Sequence, residues 1–183
     1  KKSLAPPGIM KASTVKLYNK KRMSSTKKRE LLHFKDYYFP LVTITNWNKA
    51  YGNKGFIQFQ YLIPKKGIDL IPEIFQEACK FTPFLSVVKR MKANENPYLN
   101  FAVDGYTTSM DFRYDERVIE KIKTWDEKVA AAGGKIYLCK DFLLGPENFR
   151  KMYPKWEAFA DLIHKLNEGK IYSLQSKRLN LHL

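Results

Sequence analysis

Cysteine and histidine are both scarce in this chain. Cys79 and Cys139 stand far apart and offer neither a zinc-ligand spacing nor the disulfide framework of a small secreted domain, so reduced thiols in a cytoplasmic setting are expected. His33, His164 and His182 are scattered with no second ligand at metal-binding spacing, and no metal site is expected. Long apolar runs are missing too: FLSVV at 84–88 falls far short of the roughly 20 residues that span a bilayer. No signal-peptide pattern opens the sequence. Also missing are G-x-G-x-x-G, a P-loop, G-x-S-x-G, Cys-x-x-Cys and His-Glu-x-x-His. The chain therefore carries no complete catalytic constellation of its own. If it belongs to an enzyme, the hard chemistry is expected from a cofactor bound mainly by other sequence.

Acid is the scarce charge. The 183 residues hold 33 Lys and Arg against 18 Asp and Glu, a formal net charge of +15. Much of the excess falls in residues 1–35, where eleven basic side chains face Glu30 alone. A stretch this basic attracts a polyanion, either nucleic acid or the phosphates of a membrane surface, or else forms a solvated arm. Pro6-Pro7-Gly8 and Ser24-Ser25-Thr26 mark it as a partly mobile connection around one short helical piece, MKASTVKLYNKK.

What is present beyond that arm is enough apolar material for a real core, with 44% hydrophobic and 14% aromatic residues. YYFPLVTI is β-prone and interrupted by Pro40, which suits a sheet edge. After the turn signal YGNKG, FIQFQYLIP alternates, with Gln58 and Gln60 on one face and Phe59 and Tyr61 on the other. Such a face lines something polar or meets water. IDLIPEIFQEACK (68–80) has helical spacing. FLSVVKRM (84–91) alternates as a strand whose Leu85, Val87, Lys89 and Met91 share a face, and a lysine there calls for an anion or water. YTTSMDF (106–112) puts Thr107, Ser109 and Asp111 on one side. A long amphipathic helix over 114–131 buries Val118, Ile119, Ile122, Trp125, Val129 and Ala130. IYLCKD reads as a closing strand, followed by helices in PENFRKMY, KWEAFADLIHKLN and SLQSKRLNL. The plan is α+β: a largely antiparallel sheet covered by helices, with a helical C-terminal tail.

AGGKIYLCKD (132–141) brings Tyr137, Cys139, Lys140 and Asp141 to one short exit. Spacing alone favours a surface Lys140 paired with Asp141. Together with YYFPLVTITNWNKAYGNKGFIQFQYLIP (37–64), FLSVVKRM, GYTTSMDF (105–112) and FRKMYPKWEAF (149–159), however, this stretch resembles the C-terminal half of the decaprenylphosphoryl-ribose oxidase family of FAD-linked oxidoreductases, in the vanillyl-alcohol-oxidase superfamily. The segments occur in family order with family-like spacing.

The resemblance implies a basic connection at 1–35, a substrate-binding (cap) domain at 36–135 and a return segment at 136–183 that contacts the flavin domain, with the N-terminal FAD-binding domain absent from this chain. It implies that Lys140 and Tyr137 reach the flavin and the substrate. Tyr38, Gln58, Gln60, Leu85, Val87, Lys89, Met91, Thr107 and Ser109 would line the substrate pocket. Hydride loss to a flavin leaves negative charge at its N1–C2=O edge, and a fixed ammonium there stabilises charge that develops only along the reaction. The implied substrate is a lipid-linked sugar, a polyprenylphosphoryl pentose oxidised at its 2′-hydroxyl for cell-envelope arabinose, and a short-chain reductase partner would complete the epimerisation. The implied location is cytoplasmic or peripheral at the inner membrane face, with the basic arm docking on anionic lipid. Another sugar-alcohol or lactone FAD oxidase is a close alternative. A basic nucleic-acid-binding module is the weakest reading, since no helix-turn-helix, RNP-type or zinc-finger pattern accompanies the charge.

The sequence also departs from the family. Mycobacterial members carry a cysteine where Ser109 aligns, a residue captured by nitroaromatic inhibitors, and an asparagine where Thr107 aligns. A serine cannot form that thiol adduct, so resistance to such capture is expected. Cys139 is not a substitute thiol if it alternates away from Lys140 in a regular strand.

Overall fold

The computed structural model describes residues 20, 31, 33–35, 52–94, 98–168, 170 and 172–181, in two compact units, Lys1–Gly55 and Phe56–Leu183. Most of the basic stretch, the strand expected at 37–44 and Tyr38 lie outside the described residues. Within the first unit, the Gly55 N–H donates to the Gly52 carbonyl at 3.3 Å with both glycines at positive φ, so the YGNKG signal closes a turn.

The second unit is built on four antiparallel strands: β1 (Phe56–Pro64), β2 (Leu85–Met91), β3 (Gly105–Arg113) and the two-residue β4 (Lys135–Ile136). They lie in the order β2-β3-β1-β4. Between β1 and β2 runs α1 (Leu70–Cys79), and between β3 and β4 runs α2 (Glu116–Ala131). Three more helices follow: α3 (Pro146–Met152), α4 (Trp156–Asn167) and α5 (Leu174–Arg178). The α+β plan read from the alternating and helical patterns is the plan observed.

Alternation decides which face is covered. Ile57, Phe59, Tyr61 and Ile63 of β1 and Met110 and Phe112 of β3 turn to the helices, and all are buried. Ile74 and Ala78 of α1, with Val118, Ile122, Trp125 and Val129 of α2, complete this layer. The fully buried Trp125 lies 5.5 Å from the Phe59 ring and 6.0 Å from Phe112, centroid to centroid. Its indole N–H donates to Glu77 at 2.9 Å, and Lys121 and Lys128 close on the same carboxylate at 2.6 and 2.8 Å. These three donors pull the Glu77 carboxyl down to about 2 and tie α2 to α1.

The helix α2 starts where Asp115 accepts from the Arg117 N–H at 2.9 Å. It stops at Gly133, which takes the left-handed conformation at φ +68°. Gly134 then passes so close to β1 that a Cβ would meet the Leu62 carbonyl at 2.5 Å. The double glycine thus ends a helix and lets the chain enter the sheet within two residues.

Contrary to its composition, IYLCKD is not a strand. Pairing with β1 stops at Tyr61↔Ile136, one further bond runs from the Tyr137 N–H to the Gln60 carbonyl at 2.9 Å, and the Lys140 N–H then folds back to Tyr137 at 3.0 Å. Residues 138–140 are a turn. The alternation argument for Cys139 therefore does not apply.

Candidate functional site on the sheet face opposite the helices

The register aligns polar side chains in rows across three strands, because partners in an antiparallel pair share a face. Gln58, Asp111 and Leu85 form one row; Gln60, Ser109 and Val87 the next; Leu62, Thr107 and Lys89 the third. Met91 stands opposite Gly105 beyond them. Seven of these are residues named from sequence, and with Met91 and the Lys140 turn they meet on the face opposite the helices. Strands are spaced by about 4.8 Å, so a row is the width of a sugar-sized group. Leu85 is 45% exposed and Lys89 is exposed, β2 being an outer strand among the described residues; Val87 and Met91 are half-buried.

Internal hydrogen bonds fix the polar rows. Gln58 donates to the buried Asp111 carboxylate at 2.7 Å, and Gln60 donates to the Thr107 hydroxyl at 3.1 Å. Thr107 in turn donates to the Tyr61 carbonyl at 2.9 Å. Both amides are thus oriented before any ligand arrives, the condition for preorganised recognition of hydroxyl groups.

Lys140 enters this face from the turn after β4. Its ammonium lies 3.5 Å from the Ser109 hydroxyl, in the middle row. Burial holds its pKa below the ordinary lysine value, Asp111 opposes that shift and Lys89 adds to it. A cation held between a carboxylate and a second cation, partly out of water, suits a ligand that carries or develops negative charge.

The pairing of Lys140 with Asp141 that spacing favoured is absent. The Asp141 carboxylate accepts from the Leu143 and Leu144 N–H groups at 2.9 and 2.8 Å and from the Arg178 guanidinium at 2.8 Å. Lys140 is free of that partner because its neighbour is consumed elsewhere.

Tyr137 lies opposite Gln60, but its ring packs on Phe101 at 4.9 Å. The Cys139 thiol beside it pushes the phenol up from its ordinary value. Cys139 itself is exposed.

Sequence reasoning missed Asp126. It is 3% exposed, and its Oδ1 is buried with no hydrogen-bond partner. It faces a hollow at the open edge of β1, shared with Gln58, Gln60, Lys140, Asp141 and Phe142. Burial, with the Asp141 charge second, pushes its carboxyl up to about 8, while Arg178 pulls it back. An acid four residues after Ile122, inside the apolar stripe of α2, was the available signal. Among the described residues no cluster of His, Cys, Asp and Glu could hold a metal ion, and no helix is long and apolar enough to cross a membrane.

The chain is similar to decaprenylphosphoryl-beta-D-ribose oxidase. It is 27% identical over 163 residues to that protein of Mycolicibacterium smegmatis, covering 87% of this chain and 35% of the oxidase. It is also 27% identical over 114 residues to an uncharacterized protein in the mprA 5′ region of Streptomyces coelicolor, covering 61% of this chain and 30% of that one. The chain spans about a third of the length of these curated relatives. No family model matches it. The likeness to the oxidase read from GFIQFQ, GYTTSMDF and AGGKIYLCKD is thereby borne out.

Proposed function

We propose that this chain is the substrate-binding part of an FAD-dependent oxidase that converts the 2′-hydroxyl of a polyprenylphosphoryl pentose to a ketone. The observation that carries the reading is Lys140, held over the row formed by Gln60, Ser109 and Val87 with Asp111 and Lys89 on either side. The similarity to a ribose oxidase supports it.

The residues fit a flavin. An isoalloxazine accepts hydride and gains negative charge at its pyrimidine edge, which is the chemistry the group supplies when bound. Lys140, already charged and partly desolvated, stabilises that charge without reorganising. Gln58 and Gln60, fixed by Asp111 and Thr107, orient the sugar hydroxyls. Lys89, exposed at the rim, meets the anionic phosphate end of the substrate. The apolar wall of Leu85, Val87 and Met91 excludes water from one side of the sugar. In this reading the flavin is held mainly by a separate N-terminal domain, a reductase returns the ketone as the epimeric alcohol, and the basic residues of 1–35 draw the protein to the anionic surface where a polyprenyl phosphate resides.

The test uses the full protein that carries this sequence. Adding polyprenylphosphoryl ribose without oxygen bleaches the visible flavin band and yields the 2′-ketone. Bleaching by an aldonolactone or free sugar alcohol instead transfers the site to another oxidase of this kind. A protein that binds no flavin overturns the reading.

A further inference from the structure

Lys140 does not hold itself in place. Its turn carries two internal bonds, from the Lys140 N–H to the Tyr137 carbonyl at 3.0 Å and from the Asp141 N–H to the Leu138 carbonyl at 3.4 Å, and the segment beyond it is tied down from the far end of the chain. The Gln175 amide donates to the Leu138 carbonyl at 2.7 Å. The Arg178 guanidinium donates to the Asp141 carboxylate at 2.8 Å, to the Asp141 carbonyl at 3.5 Å and to the Leu144 carbonyl. The Asp141 side chain is 4% exposed and that of Arg178 26%, so this pair works in a sheltered setting where charge-assisted bonds are strong. Leu144 and Leu179, both buried, anchor the two sides of the clamp in the core.

We propose that Arg178 is a positioning residue for Lys140, gripping the 138–144 loop through Asp141 and Leu144 so that the Lys140 ammonium is delivered to Ser109. The proposal rests on the oxidase reading only for its effect on turnover; the placement of Lys140 is tested separately. Arginine suits the task because its planar fork reaches a carboxylate and a carbonyl from separate nitrogens in a fixed geometry, where a lysine offers a single flexible point of charge. Gln175 is one turn earlier on the same face of α5 and pins the other end of the loop. The clamp also bears on Asp126 on α2, which has a buried, partnerless oxygen and lines the same hollow as Lys140 and Asp141; the charges of Asp141 and Glu127 act on it against that of Arg178. Arg178 thereby balances two carboxyls with one cation.

Lysine side-chain NMR of the intact protein tests the placement directly. Burial is expected to hold Lys140 of the wild type below the ordinary lysine value. In Arg178→Ala it should return toward that value, in Gln175→Ala move part of the way, and in Arg178→Lys recover only in part. In the flavin-loaded enzyme the same Arg178→Ala change lowers kcat by up to about a hundredfold, as for a misplaced catalytic group, with KM little changed and the alkaline limb of the pH profile moved upward. A folded Arg178→Ala protein whose Lys140 titration is unmoved overturns the proposal. Should that variant not fold, an unmoved Lys140 titration in Gln175→Ala overturns it equally. A moved Lys140 titration with unchanged turnover leaves the clamp standing and removes Lys140 from the oxidase reading instead.

Discussion

The two faces of the sheet are made by the same strands and differ in what their alternate residues do. Phe59, Tyr61, Met110 and Phe112 on one face are sealed under α1 and α2 and carry the fold. Gln58, Gln60, Ser109 and Thr107 lie between them in sequence, yet point the other way and carry only hydrogen bonds and the reach of Lys140. A period of two separates stability from chemistry at single-residue spacing. Mutations on the two faces should therefore fail in different ways.

The largest effect is expected on the sealed face. Trp125→Ala removes the ring on which Phe59 and Phe112 pack and leaves Glu77 with one donor fewer. A loss of about 3 to 5 kcal/mol is expected from urea unfolding. A loss under half that size would mean the aromatic cluster is not the centre of the core.

On the polar face, Lys140→Ala is expected to leave urea unfolding nearly unchanged while lowering turnover of the flavin-loaded enzyme by about a hundred- to a thousandfold, the range for deleting one oxyanion-type donor. Near-normal turnover would remove Lys140 from the chemistry. A large drop in stability would erase the contrast between the faces.

Asp126 sits between the two regimes. Its carboxyl keeps a proton to about pH 8 when folded and to about pH 4 when unfolded. Between those values the unfolded chain releases a proton that the folded chain retains, so stability falls as pH rises, with a slope of up to about 1.4 kcal/mol per unit, and levels off above about 8. Glu77 acts in the opposite sense, but its contribution is complete above its ordinary pKa and is lost only as pH falls toward 2. Thermal melts should thus drop from pH 5 to 8. Asp126→Asn should flatten that drop and raise the melting temperature at pH 8. An unchanged pH dependence in the variant would show that another group is responsible.

Much of this contrast was legible in the chain. FIQFQYLIP and YTTSMDF display their two faces directly, and α2 announced its buried stripe, because periodicity is a local property. What was not legible is what depends on distant partners. IYLCKD has strand composition, but its register ends at Ile136 and the loop that follows is held by Gln175 and Arg178, each 37 residues on from its partner. For the same reason Lys140 is unpaired from its neighbour: Asp141 spends its carboxylate on Arg178 and two backbone amides. Asp126 was hidden by its company, an acid whose neighbours in the stripe are all apolar.

The smallest expected effect is the most local probe of the polar face. Ser109→Cys exchanges one small half-buried side chain for another, so stability should change by no more than about 0.5 kcal/mol. The chemistry of the position should change far more. An ammonium 3.5 Å from the Ser109 oxygen favours a thiolate there, while burial and Asp111 oppose it. If the Lys140 contact dominates, the introduced thiol is alkylated at lower pH than the exposed Cys79 and Cys139, as read by peptide mass spectrometry. Adding Lys140→Ala should abolish the difference. The wild-type protein, with only a hydroxyl at this position, should take no adduct at Ser109. An introduced thiol that reacts no sooner than Cys79, and is indifferent to Lys140→Ala, would mean that the lysine does not reach the middle row of the sheet.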